Sequence, residues 1–201
     1  MEALSLSFAS GWASGVNAYL VVLVLGITDA VSDRPDIPDV LGRWDVLAVA
    51  GFMYCMEFVA DKIPLIDSGW DVVSTAIRPV VGGVLGLLIA GDASSLDQAL
   101  NATVGGGTAL ASHLVKAGSR LAINHSPEPV TNITASVGED AVVLVLVGFA
   151  ISHPVAAAVI AGVFLVIGLI VLWFAFRLIR AGWRRYKGRR RPTASAPPPG
   201  P

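Results

Sequence analysis

Charge is scarce in this chain. Of 201 residues only 14% are charged, where soluble domains carry about a quarter, and the mean hydropathy is +0.70. That deficit argues against a water-facing globular domain and for a polytopic membrane protein. Cysteine is rarer still. Cys55 stands alone, which excludes an intrachain disulfide, and its apolar surroundings predict a small core residue. No pair of His or Cys stands at ligand spacing, so no metal motif is present and no cofactor is expected. No Gly-x-Ser-x-Gly elbow occurs. Gly105-Gly106-Gly107 lacks the following Gly-Lys-Ser/Thr of a phosphate loop and reads as close helix packing or a helix break. The C-terminal tail is basic without an aromatic-interleaved module, so nucleic acid is not an expected partner. The N-terminus does not resemble a cleaved signal: Glu2 is acidic, no Lys or Arg precedes the apolar run, and no small-residue site closes it.

What is present is apolar length. Runs at 6–30, 45–61, 78–91, 98–116, 139–152 and 155–179 predict an all-α, polytopic membrane helix bundle of about six transmembrane spans. The 78–91 run is short unless residues before Pro79 extend it. Residues 65–77 are amphipathic. Leu65, Ile66, Trp70, Val73 and Ile77 share one helical face, while Asp67, Ser68, Asp71 and Ser74 share the other. This predicts an interfacial helix with the aspartates on its wet side. Residues 1–179 form one transmembrane domain. Residues 180–201 form a basic, then Pro/Ala/Ser-rich tail with a disordered end. Eight of the fourteen Lys and Arg follow residue 176. With that tail in the cytoplasm, six spans return the N-terminus to the same side, and Lys62, Arg78, Lys116 and Arg120 fall there too. The tail orients the protein and offers contact to anionic lipid headgroups. Twenty-one glycines suit close helix packing in lipid. A homo-oligomer is compatible with a chain this small, although no residue points to it.

The halves 6–91 and 98–179 echo each other. Each has a small-residue run, a span, an acidic cluster and a proline before a last span. Arg78-Pro79-Val-Val and His153-Pro154-Val-Ala carry the echo. Three spans per half would make two inverted repeats, a recurrent transporter design. The alternative is chance likeness among small-residue helices.

Charges next to apolar runs are the candidate site, because acids in lipid are costly and usually functional. Glu57 and Asp61 lie one turn apart. Either they hold a cation or relay a proton, or Asp61 and Lys62 end a helix at the interface. For Glu57 the first reading is preferred, for Asp61 and Lys62 the second. Lys116 and Arg120, also one turn apart, either neutralise Glu57 or Glu139-Asp140, or snorkel at a helix end. His113 either titrates or bonds between helices. Ser136 with Glu139 has the spacing of a capping box.

Two motifs carry a family resemblance: Glu57-x-x-x-Asp61-Lys62-Ile63-Pro64-x-x-Asp67 with Arg78-Pro79, and His113-Leu-x-Lys116-Ala-Gly-x-Arg120 followed by Asn132, Ser136 and Glu139-Asp140. Over roughly residues 8–175 the chain resembles a bacterial membrane family known only as domain of unknown function 4126. The resemblance implies a bacterial inner-membrane protein and supplies no activity. It leads one to expect an arginine soon after the first small-residue run, where Asn17 stands instead.

The leading expectation is a small transporter or channel-like protein. Its substrate or ion pathway is lined by Asn17, Glu57, Asp61, His113 and Glu139, with Lys62, Arg78, Lys116, Arg120 and Asp140 as charge partners. The alternative is a non-transporting scaffold or lipid-binding accessory protein. A membrane enzyme ranks third, since the acids and bases lack any recognised catalytic spacing.

Overall fold

Lipid offers backbone amides no partner, so apolar runs close their hydrogen bonds within helices. The computed structural model describes residues 1–32, 34–124 and 129–189, and among these there are six α-helices and no strand. The helices are α1 (Glu2–Ser32), α2 (Trp44–Ala60), α3 (Pro64–Ala90), α4 (Ser95–Asn124), α5 (Pro129–Ser152) and α6 (Pro154–Arg189), with a 3-10 turn at Asp39–Gly42 before α2. α6 extends past the apolar run, through Arg177 to Arg189. Residues 190–201, with Arg190 and Arg191 and the tail end expected to be disordered, lie outside the described residues, as do the side chains of Asn132, Arg184, Arg185, Lys187 and Arg189.

Among the described residues four stretches are long and apolar enough to cross a membrane: Glu2–Ser32, Gly69–Ala90, Ile133–Ser152 and Pro154–Leu178. α2 has 17 residues, about 25 Å of rise. α4 is longer but more polar.

α1 is not one rod. Asn17 has φ −151° and ψ 98°, and the chain doubles back there. Glu2, Ala3 and Leu6, from the start of α1, line the same recess as Arg34 to Asp39, which follow its end. The ends of α3 and α5 and the start of α6 line it too. α1 is therefore a hairpin of two half-helices, residues 2–16 and 18–32, each rising about 22 Å. The first half runs beside α4 in the same direction, Ser7 meeting Asn101 and Trp12 meeting Ser112. The second runs beside α5, from Asn17 at Asp140 to Arg34 at the Ile151 carbonyl. The start of α1 thus shares an end of the bundle with the start of α6, and α6 runs to the opposite end. A path that returns both termini to one side no longer follows from the helix count.

Three local expectations change. Pro79 lies inside α3 rather than at its start, so residues 64–77 are the first half of one helix. Its amphipathic pattern holds in the reverse sense: Asp67, Asp71, Ser74 and Arg78 are buried, while Ile66, Val72 and Val73 are exposed. Where the surroundings are lipid, the polar face turns to the protein interior. Residues 117–138, which separate the predicted spans 98–116 and 139–152, are helical apart from residues 125–128, which lie outside the described set. Ser136 accordingly sits inside α5 and caps nothing. Cys55, expected in the core, is exposed on α2, alongside Phe52, Met56 and Val59.

Glycine sets how closely α1, α3 and α4 approach. A Cβ on Gly82 would stand 2.6 Å from the Gly105 carbonyl oxygen, and one on Gly105 would stand 2.2 Å from that of Gly82. Gly11 meets Gly105 as tightly. Gly105 and Gly106 of the triple glycine are thus a packing surface in an unbroken helix. α6 is the opposite case: Val159, Val163, Ile167, Ile170 and Phe174 are exposed, an apolar face suited to lipid.

Candidate functional site

The break in α1 frees carbonyls that no helical amide can reach. Cations meet them. Arg78 Nη1 donates to Gly15 O at 3.0 Å, and Lys116 Nζ donates to Val16 O at 2.9 Å. The two carbonyls form the negative end of the first half-helix, so basic groups are favoured there. The second half-helix begins with Asn17 as its cap: Oδ1 accepts from the Leu20 amide at 3.0 Å, and Nδ2 donates to Asp140 Oδ1 at 2.9 Å. Asn17 is also buried. Arg78 and Asp140 each lie twelve residues from the recess end of their helix, so the break sits about 18 Å deep. Irregular backbone at such depth requires shelter by protein.

Around the break the charges form one network. Arg78 donates to Glu57 Oε1 and lies 3.8 Å from Asp71 Oδ1. Lys116 bonds Asp61 Oδ2 at 2.9 Å, with Glu139 at 3.6 Å and Glu57 at 3.8 Å. Arg120 holds Glu139 through two nitrogens, at 3.2 and 2.5 Å, and approaches Asp61 Oδ2 at 3.7 Å. The guanidinium fork suits such paired carboxylate contacts. Glu57, Arg78 and Arg120 are at most 1% exposed; Glu139, with 23% of its side chain exposed, is the most accessible member. Breaking a buried pair leaves a costly lone charge.

His113 holds Arg78 from the other side. Its Nδ1 lies 2.7 Å from Arg78 Nη1, and its Nε2 lies 2.9 Å from Thr75 Oγ1 and 3.2 Å from Asp71 O. Arg78 can only donate, so Nδ1 accepts. Nε2 then carries the proton, pointing at Thr75 Oγ1 and Asp71 O, and the ring is neutral.

Of the residues expected at the site, Asn17, Glu57, Asp61, His113 and Glu139 come together, as do Arg78, Lys116, Arg120 and Asp140. Asp61 is 2% exposed, so it belongs to the network rather than merely ending a helix at an interface. Lys62 does not reach the centre: its amine bonds Phe58 O at 2.9 Å and sits over the Phe58 ring. Sequence reasoning missed Asp71 and Thr75, having set Asp71 on a wet face. Their spacing from Arg78, seven and three residues, is the signal that they share its side of α3. Arg78 is buried at the centre and His153 exposed at a helix junction, so the two halves of the Arg-Pro/His-Pro echo are not equivalent. Among the described residues no cluster of His, Cys, Asp and Glu could hold a metal ion.

Beside the network lies a cavity of about 360 Å³ between α1, α4, α5 and α6. Trp12, Val142, Phe164 and Leu165 make its apolar wall, and Lys116, Ser119 and Glu139 its polar end.

An all-helical membrane bundle with a broken first helix and a buried ion-pair network is the class defined by this geometry. The chain belongs to the family described as Domain of unknown function (DUF4126), whose model matches residues 4–174. No curated protein and no solved structure matches it.

Proposed function

We propose that the chain is a small transporter or channel-like protein of a bacterial inner membrane, worked by its intramembrane acids. The observation that carries this reading is the network at the α1 break. Glu57, Asp61, Asp71, Glu139 and Asp140 gather around Arg78, Lys116 and Arg120, so among the described residues acids outnumber bases in a buried place. Such an excess is relieved by a proton or a cation. Half-helix ends deep in a bundle are also a recurrent way of building an ion or substrate site. The half-helix after Asn17 with α2 and α3, and then α4 to α6, run in opposite senses along the bundle, which supports an inverted pair of three-helix units. The test is reconstitution in vesicles and a flux assay with and without Glu57→Gln. Loss of flux is expected; equal flux removes Glu57 from the mechanism.

In this reading the end with Lys62, Lys116, Arg120 and the basic end of α6 is cytoplasmic, and the recess, rimmed by Asp36, Asp39 and Asp92, faces outward. The N-terminus is then outside and the C-terminus inside.

A second reading is a lipid-binding accessory protein, favoured by the apolar cavity that ends on Lys116 and Glu139. Lipid held stoichiometrically through purification, with no flux of any ion, supports it over transport.

A further inference from the structure

Hydroxyls in this bundle usually return to their own helix. Thr28, Thr75, Thr103 and Thr108 bond the carbonyl four residues back, and Ser112 and Ser119 the one three back. That is the ordinary way for a helical hydroxyl to be satisfied. Ser10, Ser14 and Ser136 break the habit. Each is 0% exposed, and among the described residues none has a hydrogen-bond partner. A buried hydroxyl left unpaired is costly, and proteins meet that cost with internal water where the site is polar and the packing opens far enough to admit it.

These three are not scattered. Ser7, Ser10, Ser14 and Asn17 follow helical spacing along one side of the first half of α1. Ser7 donates to Asn101 Oδ1 at 2.7 Å, and Asn17 donates to Asp140 Oδ1 at 2.9 Å. Ser136 stands one turn before Asp140 on α5. The row starts beside Leu6, which lines the recess. It passes the helix break and continues a turn toward the opposite end. It covers about 15 Å along α1 and about 6 Å along α5. Polar groups recur at roughly every helical turn, and beside the row Glu57 Oε2 also lacks a hydrogen-bond partner.

We propose that this row is a water file along which protons move between the recess and the ion-pair network. The recess favours cations, since Glu2, Asp36, Asp39 and Asp92 line it against Arg34 alone. A serine hydroxyl donates and accepts at once, so a file of alternating serine and water passes a proton without charging a side chain. At each step one O–H bond forms as its neighbour breaks. Asp140, beside Asn17 at the inner end of the file, is its titratable junction and takes its proton from water rather than from the amide, which donates an N–H bond but relays no proton. The use of the file by protons rests on the transport reading; its hydration does not.

The lone cysteine makes the hydration measurable. In a Cys55→Ser background, Ser10→Cys, Ser14→Cys and the equally buried but apolar control Val21→Cys are reconstituted in lipid. Each is exposed to Ag⁺, unfolded, and labelled with a maleimide dye. Ag⁺ is expected to protect positions 10 and 14 about tenfold faster than position 21, as thiol reactivity follows access. Equal rates at all three positions overturn the file. Proton flux is then read with an internal pH dye in vesicles under a pH gradient. Ser14→Val and Ser14→Ala are expected to slow it severalfold while Ser14→Thr keeps it. Undiminished flux in both the Val and Ala variants overturns the proton route and leaves the transport reading to the Glu57→Gln test. A reactive file in a parent that passes no protons overturns proton conduction, whatever other ion Glu57 governs.

Discussion

At the scale of residues, Arg78 ties four helices together. It touches a carboxylate of α2, a histidine of α4, an α3 aspartate at longer range and a backbone carbonyl of α1. Removing it leaves Glu57 buried without its hydrogen-bond partner and, among the described residues, with only Lys116 at 3.8 Å. Arg78→Met is expected to lower stability by about 3–5 kcal/mol, read as a fall in the unfolding midpoint of the detergent-solubilised protein. Adding Glu57→Gln to that variant should recover a large part of the loss, because the lone charge is gone. A double variant no more stable than the single one would show that Glu57 is not the group harmed. Asn17 is smaller in effect but more local. Asn17→Ala removes both the cap on Leu20 and the bond to Asp140, and a loss of about 1 kcal/mol is expected for the cap alone, checked in the same assay.

At the scale of elements, the tight packing of α3 on α4 is decided by Gly82 and Gly105. Gly82→Leu forces two backbones apart and should destabilise by at least about 1–3 kcal/mol, the ordinary range for overpacking. Gly107, one residue past the packed pair, has nothing within 4 Å of a built Cβ. Gly107→Ala should be neutral or stabilise by up to about 1 kcal/mol through helix propensity. Comparing the two unfolding midpoints checks the pair. Similar losses at both positions would mean that glycine content, not the α3–α4 approach, is what matters. The helices themselves were legible in the chain because uninterrupted apolar length speaks directly. The extent of α3 was less so. Pro79 and the charges before it read as an interface, and only burial against α1 and α4 shows that lipid lies on the apolar side.

At the scale of the molecule, the proposed orientation rests on the hairpin in α1. A cysteine introduced at Glu2 should react with an impermeant maleimide added outside intact cells. One at Arg185, in the Cys55→Ser background, should react only after lysis. Reaction of both from the same side would overturn the proposed orientation. The sequence-based count placed both termini together because it took residues 6–30 as a single crossing. Nothing in those residues forbids that: the run has ample length, no proline and no charge before Asp29. The turn at Asn17 depends on distant groups. Arg78 and Lys116 take the freed carbonyls, and Asp140 takes the side-chain amide.

Composition and run length by themselves determined that this chain is a helical membrane bundle, and charge scarcity marked out the few side chains worth watching. That follows from solvent physics, since apolar length and the cost of charge in lipid act residue by residue. Tertiary structure alone decided that Asp61 and Asp71 belong with Glu57, that Lys62 does not, and that the first helix is broken. The helix break and the burial of Glu57 and Asp61 depend on partners 20 to more than 100 residues away, whereas Asp71 and Lys62 meet neighbours on their own helices or at their ends. A broken helix or a buried carboxylate is tolerable only when such partners arrive, and local sequence carries no record of their arrival.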